Sequence, residues 1–149
     1  MIKKLSSLKL PDEGWLPIWF WKDFGGNKYD ASELCKGNIL LEVDIPDKYV
    51  LLSDFDAWHY VLNHFYLPSS LDEKTFLKED DKIDKMNEAC KENAIINSWD
   101  RIFDISKRSG EMGTFGVFIQ ATVPFLKETW IKNVTFPKVT NNEDYLEED

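Results

Sequence analysis

Residues 51–67 read LLSDFDAWHYVLNHFYL, and this stretch decides the fold that the sequence predicts. Ser53 is followed three residues later by Asp56, which resembles a capping box with Asp in place of Glu and predicts a helix from Asp54. At 100° per residue, most of the apolar side chains fall on one side of this helix, which is the expected buried face. The residues on that face are Phe55, Trp58, Val61, Leu62 and Phe65.

A polar band runs beside this face, with Asp56, His59 and Asn63 at positions i, i+3 and i+7. In one interpretation His59 is a general acid or base that Asp56 orients, because an imidazole needs a partner to fix its tautomer. In the other, His59 makes a local hydrogen bond on an ordinary polar flank. His64 lies about 140° around the helix from His59, so no i, i+4 metal pair is expected.

The length and composition are those of one domain. A chain of 149 residues with 43% hydrophobic residues, six Trp and ten Phe can bury an aromatic core. We expect a single domain over residues 1–140, with residues 71–94 forming a charged helical insertion. The acidic residues 141–149 are expected to be a disordered tail.

The net charge is −9, from 27 acidic and 18 basic residues. Direct binding to nucleic acid is therefore not expected, because neutralising phosphates needs clustered Lys and Arg. Acidity is typical of a soluble cytoplasmic protein and also suits a protein that binds a basic partner. The two cysteines, Cys35 and Cys90, do not indicate a disulfide framework, and no apolar run reaches the length of a membrane span.

The order of the elements predicts an α+β fold, with a mostly antiparallel, twisted sheet packed against the central amphipathic helix and a second helical segment. Residues 39–45 and 49–52 are expected to form a hairpin through the turn at Pro46. The other expected strands are residues 16–21, 115–123 and 130–136.

Two tryptophans are candidates for ligand binding. Trp19 and Trp21 share one face if residues 16–21 are extended. Side by side, the two rings could stack on a base or a nicotinamide ring, or they could simply belong to the core.

Glu42 and Arg101 are further candidates. Glu42 lies on the polar side of its strand, where it is either solvated or lines a cleft together with Gln120. Arg101 could clamp a phosphate or carboxylate, or it could form ion pairs with the neighbouring Asp100 and Asp104.

Several segments together resemble a bacterial family, the domains of unknown function numbered 3841. They are PIWFW (17–21), LLEVDIPDKYVLLSDFDAWHYVLNHFYL (40–67), SWDRIFDI (98–105), and IQAT followed by WIKNVTF (119–136). The resemblance implies a fold and no activity. Members of this family usually begin with an additional strand and helix, which this chain is expected to lack. A missing edge strand would leave its neighbour unpaired and predicts a homodimer through the sheet edge.

Two functions follow as hypotheses. GxGxxG, Walker A, HExxH and GxSxG patterns are absent from the sequence. The first hypothesis is a non-catalytic interaction protein, of the kind that phages and mobile elements encode, which binds a protein partner through an acidic surface without a cofactor. The second is a small nucleotide-handling enzyme, because the last strands are distantly similar to those of NAD-binding ADP-ribosyltransferase-like folds. In that case His59, Asp56 and Gln120 are the catalytic candidates.

Overall fold

The computed structural model describes residues 17–24 and 38–137, and these ranges form an α+β fold of the class that the sequence predicts. The strands are β1 (Ile18–Phe24), β2 (Leu40–Val43), β3 (Leu51–Asp54), β4 (Arg108–Gly110), β5 (Gly113–Phe115), β6 (Phe118–Val123) and β7 (Ile131–Thr135). The helices are α1 (Phe55–Leu62), α2 (Glu73–Asp84) and α3 (Glu88–Ser98), with 3-10 turns at Asp47–Tyr49, Trp99–Phe103 and Glu128–Trp130. The predicted tail, 141–149, lies outside the described residues.

The chain divides into two compact units. The first unit contains β1 and the chain from Asp47 to Phe125, and the second contains β2, the turn at Glu128–Trp130 and β7. The single domain over residues 1–140 stays a prediction, and each unit is described below by itself.

The sheet of the first unit has three antiparallel strands in the order β1–β6–β3. Strand β6 is central, so its backbone has a partner on both sides, and its side chains at Ile119, Ala121 and Val123 are buried. A register shift between Trp21 and Asp23 marks an irregularity in β1.

Helix α1 begins one residue later than the sequence suggests. Its N-cap is Asp54, whose Oδ1 accepts a hydrogen bond from the backbone N–H of Ala57 at 2.9 Å. Ser53 does not cap the helix, because its Oγ accepts a hydrogen bond from Trp58 Nε1 at 3.0 Å. The predicted cap at Ser53 is therefore wrong by one position.

Helix α1 also ends early, at Leu62, and a Schellman motif closes it. The N–H of Phe65 donates to the carbonyl of Tyr60, and the N–H of His64 donates to that of Val61, with His64 at a φ of +58°. Because the chain leaves the helix after Leu62, Phe65 does not continue the predicted buried face and is 61% exposed. Leu62 is the last residue of α1 and is 76% exposed, so its predicted burial is also wrong.

The core of the first unit forms where α1 meets the 3-10 turn at Trp99–Phe103. Its buried members are Ala57, Leu67, Leu71, Ile102 and Phe115. Ala57 is on α1 and is fully buried, because it lies on the side of the helix that faces this cluster. Partly buried aromatic side chains, among them Trp58 and Tyr60, surround the cluster.

Residues 71–94 contain helix α2 and most of α3, as their charge-rich amphipathic pattern predicts. Asp72 caps α2 and Asn87 caps α3, each by accepting a backbone N–H with its side chain. Ile83 is buried, so α2 contributes an apolar side chain to the interior of the unit.

The second unit pairs β2 with β7 in antiparallel register, and Asp44 N–H donates to the carbonyl of Trp130 at 2.8 Å. The predicted hairpin of residues 39–45 and 49–52 is therefore wrong. Strand β2 pairs with β7, whereas β3 pairs with β6. A short turn favours local pairing, but the two strands take partners from the C-terminal part of the chain instead.

Candidate functional site

Two rows of side chains cross the sheet of the first unit. Trp21, Gln120 and Ser53 lie opposite one another on β1, β6 and β3, and Trp19, Thr122 and Leu51 form the next row. Side chains that are opposite, or two residues apart on a strand, point to the same face of a sheet. This face is the one that α1 covers, because both tryptophans contact the helix.

The contacts between β1 and α1 are made by aromatic rings packed edge to face. The centroids of Trp19 and Trp58 are 5.7 Å apart, and those of Trp21 and Phe55 are 5.0 Å apart. The His59 ring packs against Phe55 in the same manner, at 5.0 Å. We call these five residues the aromatic shelf.

Both strand tryptophans of the aromatic shelf remain open to solvent. Trp19 is 42% exposed and Trp21 is 40% exposed. Each ring therefore contacts α1, while about two fifths of each residue stays exposed. The interpretation from the sequence that both residues simply belong to the core therefore does not hold, because neither is buried.

His59 and Asp56 are close neighbours on α1 but are not joined by a hydrogen bond in the described part of the chain. His59 is exposed and its ring contacts Phe55. Burial raises the pKa of Asp56, the nearby Asp54 carboxylate raises this pKa further, and His59 opposes both effects. The catalytic roles of these residues stay predictions.

Asn63 has a structural contact that accounts for its position. It is the C-cap of α1, and its Nδ2 donates to the carbonyl of His59 at 2.7 Å. The same carbonyl also accepts the backbone N–H of Asn63 at 3.0 Å, so both the main chain and the side chain of Asn63 bind the last turn of α1.

Gln120 and Glu42 lie in different units of the chain. Gln120 is half-buried in the row with Trp21. Glu42 is exposed on β2, opposite Asn133 of β7. Only Gln120 thus lies on the same sheet face as the tryptophans.

Asp54 is a residue that the sequence reasoning missed. It is fully buried, and its two carboxylate oxygens accept from different backbone groups, Oδ1 from Ala57 N–H and Oδ2 from Gly116 N–H. The sequence does place an acidic residue, which can cap a helix, directly after Ser53. It does not show that Gly116 comes within reach of that residue.

Arg101 does not form the predicted ion pairs with Asp100 and Asp104. Asp104 instead pairs with Arg108 and accepts hydrogen bonds from Ser106. The Arg101 guanidinium donates to the carbonyl of Leu67 and lies over the Tyr66 ring, where it lines a cavity between α2 and α3.

Within residues 17–24 and 38–137, His, Cys, Asp and Glu side chains form no group of three or more that could hold a metal ion. The helices of these ranges are all too short or too polar to cross a membrane.

The comparison with models of known protein families gave a match. The model of a family described as Domain of unknown function (DUF3841) matches residues 2–132. Neither the curated proteins nor the solved structures contained a match. Because the match spans most of the 149 residues, the chain belongs to the family described as Domain of unknown function (DUF3841).

Proposed function

We propose that this chain is a non-catalytic, cytoplasmic interaction protein that binds a basic protein segment on its aromatic shelf. The observation that carries the proposal is the exposure of Trp19 and Trp21, whose rings are held against α1 while 42% and 40% of their surfaces face outward.

The position of the tryptophans in the sheet supports this function. Strand β1 lies at one edge of the three-stranded sheet, and among the described strands it pairs only with β6. An edge strand can be reached by an extended segment of another chain, and tryptophans dominate the binding energy of many protein interfaces.

The charge of the chain supports a basic partner. The net charge of −9 attracts Lys and Arg side chains, and an exposed indole face binds such cations through its π electrons. Asp56, which adjoins His59 of the shelf, adds a carboxylate next to the rings. A segment that alternates cationic and apolar side chains therefore fits this surface best.

Selection from a library of displayed 12-residue peptides tests the proposal. We expect enriched peptides to contain Lys or Arg next to apolar residues, and Trp19→Ala to weaken their binding at least tenfold. Phe136→Ala is the matched control, because Phe136 is an exposed aromatic residue of the second unit. Enrichment of acidic peptides, or equal losses in both variants, would contradict the proposal.

A second copy of the chain is the other occupant that the exposed edge admits. Light scattering of the parent chain and of Trp19→Ala tests this occupant. A dimer for the parent and a monomer for the variant would show self-association through the sheet edge and would contradict the basic segment. A monomer in both cases would leave the edge to the basic segment and would contradict the homodimer that a missing edge strand predicts.

A nucleotide-handling enzyme is the second candidate, favoured by the position of Gln120 beside Trp21 on the shelf face. A base or nicotinamide ring could stack on the indole while the amide binds its edge. NAD at 100 times its dissociation constant would then stabilise the chain by about 2.7 kcal/mol. His59→Ala or Gln120→Ala would abolish the rise in melting temperature, and no rise with any nucleotide would exclude this candidate.

A further inference from the structure

A cavity of about 230 Å³ lies between α2 and α3, and it is independent of the aromatic shelf. Its apolar side includes Ile83, which is buried, and Met86. Its polar side includes Tyr66, Lys82, Asn97 and Arg101. An apolar wall combined with a few convergent polar groups is typical of sites for small molecules.

Arg101 supplies the principal charge of this cavity. It is half-buried, and one Nη donates to the carbonyl of Leu67, which holds the guanidinium plane in place. The Tyr66 ring lies 5.4 Å from the guanidinium carbon. Within the described residues Arg101 has no carboxylate partner. Each of its nitrogens either makes a hydrogen bond or is open to solvent. Its remaining N–H groups are therefore not buried, and Arg101 lines the cavity.

Lys82 is the second cation that lines this cavity. Lys85 pairs with Asp81 at 2.5 Å and Lys91 pairs with Asp84 at 2.8 Å, whereas Lys82 has no ion pair in the described ranges. The paired lysines are neutralised by carboxylates of α2. Lys82 leaves its charge at the mouth of the cavity.

One carboxylate, that of Glu79, also lines this cavity and offsets one of the two positive charges, so the three groups together carry +1. Glu79 accepts hydrogen bonds from the backbone N–H and the hydroxyl of Ser69, one at each carboxylate oxygen. The cavity therefore carries two cationic groups without ion pairs and one carboxylate that is already hydrogen-bonded, in a chain whose net charge is −9.

We propose that this cavity binds a small organic anion, with its carboxylate or phosphate on Arg101 and Lys82 and its apolar body against Ile83 and Met86. A guanidinium binds both acid groups through paired N–H donors. The volume lies between the roughly 150 Å³ that holds benzene and the roughly 300 Å³ of the smallest drug-sized sites. It suits one ring or a short aliphatic chain beside the acid group.

Titration of the full chain with benzoate and with phenyl phosphate, followed by ¹H–¹⁵N NMR, tests this site. We expect saturable shifts at Tyr66, Asn97 and Arg101 with at least one of the two acids. Benzyl alcohol and inorganic phosphate are the controls, and each should bind at least tenfold more weakly, because each provides only half of the recognised chemistry. The stronger of the two acids identifies whether carboxylate or phosphate is the preferred group.

Two variants on one helix separate the site from general electrostatics. Lys82→Gln should weaken binding of the preferred acid several-fold, whereas Lys85→Gln removes the same charge from an exposed ion pair nearby and should have no effect. Arg101→Gln should abolish the shifts. Where that variant fails to fold, Lys82→Glu at an exposed position replaces it, with a loss of at least tenfold expected.

Three results would overturn the proposal. The first is the absence of saturable shifts with both acids up to about 10 mM, a concentration that detects even millimolar affinities. The second is equal binding of benzyl alcohol and the acids. The third is an equal loss of binding in Lys82→Gln and Lys85→Gln.

Discussion

The first turn of α1 is closed by a buried carboxylate, whereas its last turn is closed by an exposed histidine with a left-handed backbone. Asp54 is fully buried and accepts one backbone N–H at each carboxylate oxygen, from Ala57 in the helix and from Gly116 just before β6. At the other end, His64 has a φ of +58°, and its Nε2 contacts Glu92 at 2.8 Å. The N-terminal end is thus held by a buried side chain, while the C-terminal end redirects the chain and makes only exposed side-chain contacts through His64.

Both residues end the same helix, but the loss of stability expected when each is removed is very different. An exposed cap can be replaced by water, since its partners stay accessible. A buried cap cannot, because its partners would lose their hydrogen bonds in a place that water does not reach.

The largest effect is expected from Asp54→Ala. The substitution leaves the N–H groups of Ala57 and Gly116 without their acceptor, so we expect a loss of about 3 kcal/mol in the free energy of unfolding. Asp72→Ala is the matched control, because Asp72 caps α2 at an exposed position, and about 1 kcal/mol is expected there. Urea denaturation of both variants measures the difference, and equal losses would break the distinction between buried and exposed caps.

Gly116→Ala tests the partner of Asp54, because Gly116 donates its backbone N–H to that carboxylate. Gly116 has a φ of +75°, and a Cβ there would collide with the carbonyl of Ser106, so we expect a loss of about 2–3 kcal/mol. Gly113→Ala is the control, because a Cβ at Gly113 meets nothing within 4 Å and only backbone strain remains. Thermal unfolding should rank Gly116→Ala well below Gly113→Ala, and the reverse order would contradict the close approach.

The exposed end is tested by comparing His64→Gly with His64→Ala. Both variants lose the contacts of the imidazole with Glu92 and with the Trp99 ring, but only glycine adopts a positive φ without strain. We therefore expect His64→Gly to be more stable than His64→Ala by about 1 kcal/mol. Indistinguishable unfolding curves would show that the backbone at this position bears no strain.

The smallest effect concerns Asp56, in the first turn of α1. Its pKa is raised in the folded chain above the ordinary value of 3.8, first by burial and then by Asp54. The folded state therefore holds this proton more tightly than the unfolded state, so stability falls as the pH rises from about 4 through the raised pKa. Asp56→Asn should have a higher melting temperature than the parent at pH 7, and the gap should close as the pH approaches 3.

A constant gap between Asp56→Asn and the parent from pH 3 to pH 7 would exclude this ionisation as the cause. Asp80→Asn is a control on α2, where an exposed carboxylate should produce a smaller gap between the two chains.

The sequence predicted the α+β class and the location of α1, because apolar periodicity and capping residues are local signals. It misjudged the cap by one residue, since Ser53 and Asp54 are both good N-caps and only the hydrogen bond from Trp58 removes Ser53 from that role. It placed Leu62 and Phe65 on the buried face because the apolar periodicity continues through residue 65, whereas α1 already ends at Leu62 and the chain turns at His64.

Partners distant in sequence were the main limit. The pairing of β2 with β7 and the reach of Asp54 to Gly116 depend on where the chain returns, which no local pattern encodes. The candidate sites could be predicted only in part, because they too combine residues that are distant in sequence. Trp19 and Trp21 were found from their alternation on one strand, but the cavity at Arg101 combines side chains from Tyr66 to Arg101 that only the packing of α2 and α3 brings together.

The central position of β6 has a consequence for biosynthesis. Ile18 pairs with Val123, so β1 must wait until the ribosome has added the 105 residues from position 19 to Val123. At roughly 5 to 20 residues per second this takes about 5 to 20 s, during which the nascent chain carries Trp19 and Trp21 without the strand that will pair with theirs. Chaperone capture of translation intermediates that end before residue 118, and release of those that extend past residue 125 once they clear the exit tunnel, is the behaviour this topology implies.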